Sequence, residues 1–149
     1  MSDWDDFSRA LTGELARLPL HGILQLTHRG QPWHLAQFVQ NDDHLRAEVG
    51  GELADTQGTE LPTGPGVALL ESLRWRPHDP TDTNWWRELP WPAVTAEYDE
   101  LVAAVVGVLR DLNGVPAPAD LVYRAWEISG RQWPVDLPGV APATAADDG

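Results

Sequence analysis

The side chains that could support chemistry are few and scattered along the chain. The five histidines are His21, His28, His34, His44 and His78. None forms a helical His-x-x-x-His pair or a glutamate-containing zinc signature, which are the spacings that bring ligands to one metal ion. His28 and His34 flank a predicted turn, but turn histidines are mostly solvated. We therefore predict no metal site and no cofactor.

Nucleophiles and phosphate-binding residues are equally sparse. The chain has no cysteine, and all ten basic residues are arginine. A Walker-type phosphate loop, a Schiff base and a pyridoxal phosphate anchor each need a lysine, and a thiolate needs a cysteine. None of the serines lies in a glycine-flanked nucleophile elbow. We predict that the protein is not an enzyme; a site built from His28 and His34 with Asp79 or Asp82 is the alternative to exclude.

The net charge of the chain limits the classes of partner that it can be expected to bind. Its 23 acidic residues against 10 basic ones give a formal net charge of −13. Such a field repels phosphate backbones and anionic lipids, so neither nucleic acid nor membrane is a predicted partner, whereas a basic client protein would be attracted. The start of the chain lacks the basic and apolar regions of a signal peptide. We predict a cytoplasmic protein.

The pattern of apolar residues in the first half of the chain predicts a helix followed by three strands. Apolar residues at helical spacing predict a helix from a Ser2 or Asp3 cap to Pro19, and residues 23–28, 33–40 and 44–49 predict an antiparallel meander. With a four-residue first loop, Leu35 and Val39 are expected on the inward face and Phe38 on the opposite face.

The second half predicts a short helix at 67–73, strands at 74–77 and 84–89, a helix at 95–112 with Thr95 as its cap, and a last helix from Pro118. The expected fold class is α+β, an antiparallel sheet of about five strands in the order α-βββ-α-ββ-αα with helices mainly on one face. Residues 1–133 are the predicted domain. Residues 134–149, rich in proline, alanine and aspartate, are the predicted flexible tail.

Tryptophan is the extreme feature of the composition, with eight in the chain. Trp85 and Trp86 are consecutive in a predicted strand, so their rings point to opposite faces and one core cannot hold both. The ring left outside predicts an exposed aromatic patch of the kind found at protein interfaces. The predicted partner-binding residues are Trp85, Trp86, Trp91, Trp75 and Phe38.

Two segments resemble a known family. The pattern L-x-x-L-x-W-x-P from Leu70 to Pro77 is followed by Asn84-Trp85, and the second pattern, LRDLxGVPxPxDLxY, spans residues 109–123. Both are similar to the type III secretion chaperone-like and YbjN-like peptide-binding chaperones (TY-Chap type) of actinobacteria. The family often has glycine directly before the tryptophan, where this chain has Arg74.

The resemblance implies a protein that binds peptides or partner proteins, with neither cofactor nor catalysis. A client would add to an exposed sheet edge or seat its side chains in a groove lined by aromatic residues. A homodimer through the same surface is the competing use, since the secretion chaperones commonly pair. The main rival function is an immunity or antitoxin protein, whose acidic surface blocks a basic toxin.

Overall fold

The computed structural model describes residues 3–29, 31–50, 65–76, 85–91, 93–132 and 134–143, and for residues 31–34 and 65–67 it describes the backbone alone. The predicted loops at 50–66 and 78–83 therefore lie almost wholly outside the described residues. The same holds for Asp79, Asp82 and His78.

The described residues form an α+β fold, which confirms the predicted class. The elements are α1 (Asp3–Arg17), β1 (Gly22–His28), β2 (Gln31–Gln40), β3 (His44–Val49), α2 (Pro65–Ser72), β4 (Trp85–Pro90), α3 (Thr95–Val106), β5 (Leu121–Glu127) and β6 (Ala141–Pro142). One sheet holds the six described strands in the order β4-β3-β2-β1-β5-β6. All neighbouring pairs are antiparallel except β5 and β6. No helix in the described part of the chain is long and apolar enough to cross a membrane.

The helices α1 and α3 pack against each other and close the core. Acidic residues occupy the first turn of α1, where the helix dipole favours them. The Thr12 hydroxyl of α1 donates a hydrogen bond of 2.9 Å to Asp99 of α3. Helix α3 begins at Thr95, and the Glu97 carboxylate accepts a bond from the backbone N–H of Val94. The cap is therefore Val94 rather than the predicted Thr95. A π-helical turn continues α3 to Leu112, the predicted end of this helix.

The two faces of the sheet differ in burial. The face toward the helices supplies fully enclosed residues to a core that also contains α1, α2 and α3 side chains. These strand residues are Leu24, Leu26, Ala36, Phe38, Leu45, Ala47, Val49, Trp85, Leu89, Leu121 and Ala125. On the other face most side chains of β1 to β5 are half-buried. We call this second surface the open face.

The predicted register of the first hairpin is wrong by one residue. Leu24 pairs with Phe38, which is fully buried, and Leu35 and Val39 lie on the open face. The pairing shifts between Thr27 and His28, and β2 begins at Gln31 rather than residue 33. Because strand side chains alternate, this single shift exchanges the two faces of β2.

The predicted last helix is a strand. Pro118–Asp120 forms a single 3₁₀ turn, and β5 follows, paired with β1 along its whole length from Gly22↔Glu127 to His28↔Leu121. The apolar spacing that indicated a helix also fits a strand buried on both faces, as Leu121 and Val122 are. Pairing with β1 favours the strand, because a helix would leave the backbone groups along this edge of β1 without hydrogen-bond partners.

The predicted strand at 74–77 reduces to one bridge, in which Arg76 pairs with Trp86. Before it, Arg74 has a φ of 66°, in the left-handed region that favours glycine. Arg74 thus adopts, at the position where the family often has glycine, a conformation that glycine would adopt without strain.

The segment expected to be a flexible tail packs in part. Leu137 and Val140 are buried in the core, and Ala141–Pro142 forms β6. The backbone N–H of Asp136 donates to the buried carboxylate of Glu14 over 3.4 Å. Residues 144–149 lie outside the described residues.

Arg87 is a buried arginine that ties β4 to two other elements. Its guanidinium donates to the carbonyl oxygen of Leu73 over 3.0 Å and to both carboxylate oxygens of Glu100 over 3.0 Å. Glu100 is half exposed, which weakens the ionic part of the contact. We expect Arg87→Ala to lower the free energy of unfolding by about 2 kcal/mol, measured by urea denaturation. The matched control is Arg110→Ala, which removes an exposed pair with Asp111; a loss as large as that of Arg87→Ala would contradict the assignment.

Candidate functional site

The open face presents two rows of side chains that cross five strands. Directly paired residues share a face, so the pairings of β4, β3, β2, β1 and β5 define each row. The first row is Glu88–Arg46–Val39–Ile23–Trp126, and the second is Trp86–Glu48–Gln37–Gln25–Arg124. All these side chains are partly exposed.

The first row contains a continuous apolar surface. Ile23 pairs with Val39 on one side and with Trp126 on the other. The backbone N–H of Ile128 donates to the carbonyl oxygen of His21, which carries the pairing of β1 and β5 one residue further. Ile128 is 77% exposed. We call Val39, Ile23, Trp126 and Ile128 the apolar band.

The second row and the β3 residues beside it are polar. The Gln25 amide donates to the Gln37 oxygen over 3.3 Å. Arg46 lies 3.1 Å from Glu48 and 3.7 Å from Glu88. These polar side chains thus bond one another beside the apolar band.

Trp86 ends the second row at the β4 side of the sheet. The guanidinium of Arg46 lies 4.6 Å from the centre of its ring, and that of Arg76 lies 5.0 Å away. Both are within the distance of a cation–π contact. Trp86 is therefore held in place while part of its ring stays exposed.

The structure separates the residues of the predicted aromatic patch. Phe38, Trp75 and Trp85 are 0%, 3% and 2% exposed and belong to the core. The Trp75 indole donates to the carbonyl oxygen of Ala104 over 3.3 Å. Trp86 lies on the open face, and Trp91 is 38% exposed just beyond the end of β4. Of the five predicted residues, Trp86 and Trp91 are therefore the two whose rings remain available to a partner.

Sequence reasoning missed the apolar band. The predicted last helix from Pro118 contains Trp126, and the predicted register turns Val39 inward. The structure corrects both the helix and the register. A strand reading of residues 121–127 was the available signal, since valine, tyrosine and tryptophan favour strands.

Two histidines of the described chain, His21 and His44, make local contacts with carboxylates. His21 lies 3.2 Å from Asp42, and His44 lies 2.7 Å from Asp43 and 3.2 Å from Glu88. The hydrogen bond and charge of His44 lower the pKa of the Asp43 carboxyl. Among the described residues no three histidine or acidic side chains are placed to hold a metal ion.

A groove of about 680 Å³ adjoins the apolar band at the edge of β5. Its lining includes Trp126, Tyr123, Pro134 and Pro142. Trp126 belongs to both the groove and the band, so the apolar surface continues from the open face to this edge.

The chain matches a family model described as T3SS (YopN, CesT) and YbjN peptide-binding chaperone 3, over residues 1–127. The matched span runs from α1 to the end of β5 and includes both rows of the open face. No curated protein and no solved structure matches the chain significantly.

Proposed function

Because the chain belongs to this family of peptide-binding chaperones, we propose that it binds an extended segment of a client protein across the open face of its sheet. The observation that carries this proposal is the apolar band, four neighbouring apolar side chains on a face that lies outside the helix-packed core. Contiguous exposed apolar surface of this kind is typical of interaction sites.

The dimensions of the face suit a short peptide. Strands lie about 4.8 Å apart, so the four spacings from β4 to β5 span about 19 Å, the length of roughly six extended residues. A client crossing the strands would place apolar side chains on Ile23 and Trp126. Its polar groups would meet Gln25, Gln37 and Arg46.

The sheet edges offer less to a client than the face does. At β5, Ala143 donates to Tyr123 and Glu127 donates to Arg131, so the chain's own residues occupy much of this edge. At β4, Arg76 bonds both backbone groups of Trp86, and Pro90 has no N–H to donate. Addition of a complete strand is therefore restricted, and side-chain contacts on the face supply most of the binding.

Replacing Ile23 tests the proposal, since it lies at the centre of the apolar band. We expect Ile23→Ser to reduce binding to an array of ten-residue peptides of varied sequence about tenfold. The free energy of unfolding should fall by only about 1 kcal/mol, because the side chain is half-buried. The control is Val94→Ser, at a residue 63% exposed just before α3, and it should leave peptide binding unchanged.

Three outcomes separate the rival functions. Weak binding to many peptides that Ile23→Ser reduces further supports the chaperone function. Binding to no peptide, but tightly to one basic toxin, would favour the immunity function. A concentration-dependent dimer in sedimentation that Ile23→Ser dissociates would assign the band to a second copy of the chain.

A further inference from the structure

Two arginines at the edge of β4 have no acidic partner among the described residues. Arg74 and Arg76 are both exposed, and neither guanidinium forms an ion pair within the part of the chain that the structure describes. With 23 acidic residues in the chain against 10 arginines, acids are plentiful. What sets this pair apart from other exposed arginines is that both guanidiniums line one surface cavity.

A small surface cavity of about 230 Å³ lies between them and Trp86. The remaining described lining residues are already engaged. Arg87 is bound to Glu100 and to the Leu73 carbonyl, and Glu88 lies 3.2 Å from His44 and 3.7 Å from Arg46. Of the charged side chains in the described lining, those of Arg74 and Arg76 therefore keep free hydrogen-bond donors, while the Trp86 ring supplies an apolar wall.

The backbone of Arg74 gives a second, independent observation. Its φ of 66° lies in the region that L residues other than glycine, asparagine and aspartate avoid. Glycine would adopt this turn without strain, so the presence of an arginine here motivates the hypothesis that its side chain has a use.

The same turn exposes backbone groups of β4. Trp86 exchanges both of its backbone hydrogen bonds with Arg76, over 2.9 and 3.0 Å. Because bonding direction alternates along a strand, the N–H and C=O of Glu88 also point outward. The chain leaves the sheet at Arg74, and no described residue bonds these two groups. A peptide next to the guanidiniums would find a backbone donor and acceptor beside it.

We propose that Arg74 and Arg76 form a carboxylate-binding site that selects client segments carrying an acidic side chain or a free C-terminus beside an apolar residue. This rests on the proposed peptide-binding function. The net charge by itself predicts a basic client, but its field is screened over about 8 Å at physiological salt. Groups in direct contact therefore determine the selection.

Labelled ten-residue peptides of leucine, serine and tryptophan test the selectivity by fluorescence anisotropy. They carry two aspartates, two asparagines or two arginines at the same positions, each with a free or an amidated C-terminus. We expect the aspartate peptide to bind about tenfold more tightly than the arginine peptide. If amidation weakens the binding of all three peptides equally, the site binds the free C-terminus. If the aspartate peptide binds more tightly than the other two in both its free and its amidated form, the site binds the acidic side chain. Tighter binding of the arginine peptide would overturn the inference and leave the peptide-binding function intact, whereas binding of none would overturn both.

Charge-matched variants locate the effect. Arg74→Gln with Arg76→Gln should abolish the preference for aspartate over asparagine, and Arg9→Gln with Arg110→Gln, on the helices, should leave it unchanged. Both double variants change the net charge from −13 to −13 − 2 = −15. An equal loss in the two would show that overall charge is responsible.

Arg74→Gly separates binding from folding. Glycine relieves the left-handed strain, so the midpoint of thermal unfolding should stay constant or rise by about 2 °C, while affinity for the aspartate peptide falls about threefold. Arg74→Lys retains the charge and should retain most of the affinity. Unchanged affinity in Arg74→Gly would overturn the role of Arg74.

Discussion

Trp85→Ala should lower the free energy of unfolding by about 3–5 kcal/mol, and Trp86→Ala by about 1 kcal/mol. Trp85 is 2% exposed and lies in the core, whereas its neighbour lies half-buried on the open face. Removal of a buried indole creates a cavity that the surrounding residues cannot fill. In a chain of 149 residues the larger change corresponds to a fall of about 10 °C or more in the unfolding midpoint.

The exposed tryptophan, unlike the buried one, should also contribute directly to peptide binding. Trp86→Ala removes an exposed ring from the open face, so it should weaken peptide binding while the protein remains folded. Trp85→Phe is a useful control, because the Trp85 indole N–H has no hydrogen-bond partner among the described residues, and we expect a cost of about 1 kcal/mol. Equal destabilisation by the two alanine variants would contradict the assignment of the rings to opposite faces.

The alternation of a strand explains why this part of the candidate site could be predicted. Two consecutive tryptophans cannot share one core in an extended segment, whatever the rest of the fold. Which ring faces outward depends on the pairing of β4 with β3, where Trp85 lies opposite Val49 and Trp86 opposite Glu48. That pairing brings together residues far apart in the chain and is not contained in the local pattern.

The apolar band could not be predicted for the same reason. Ile23, Val39 and Trp126 come from three strands, and they meet only because β1 lies between β2 and β5. The shift at Thr27 and His28 exchanges the faces of β2. In addition, the prediction of a helix for residues 121–127 placed Trp126 outside the sheet. Periodicity identified most of the elements, whereas the site arises from their register.

Phe38 and Trp75 illustrate the limit for single aromatic residues. Aromatic residues occur at interfaces as well as in cores. Neither of these two has an aromatic residue next to it in the chain, so strand alternation does not require either ring to lie outside the core. The structure encloses Phe38 opposite Leu24 and Ala47, and the Trp75 indole reaches the Ala104 carbonyl on α3. Tertiary contacts determine the location of both rings.

Removal of the C-terminal segment is the second change that we expect to lower the stability strongly. A chain shortened to residues 1–133 should lose about 3 kcal/mol of unfolding free energy relative to the full chain. Leu137 and Val140 are 4% and 8% exposed and belong to the core, and each buried aliphatic side chain contributes about 1.5–3 kcal/mol before the cost of ordering the segment is subtracted. The loss of β6 would also expose the edge of β5 and widen the groove beside Trp126.

Two further variants identify the cause of that loss, with urea denaturation as the measurement. A chain ending at residue 143 keeps every described residue and should be as stable as the full chain. Leu137→Ser with Val140→Ser in the full chain should reproduce most of the loss, because it removes the buried apolar contacts and keeps the length. If the chain of residues 1–133 proved as stable as the full chain, the segment would be a dispensable tail, as its composition had indicated. The domain would then end close to residue 127, where the family match ends.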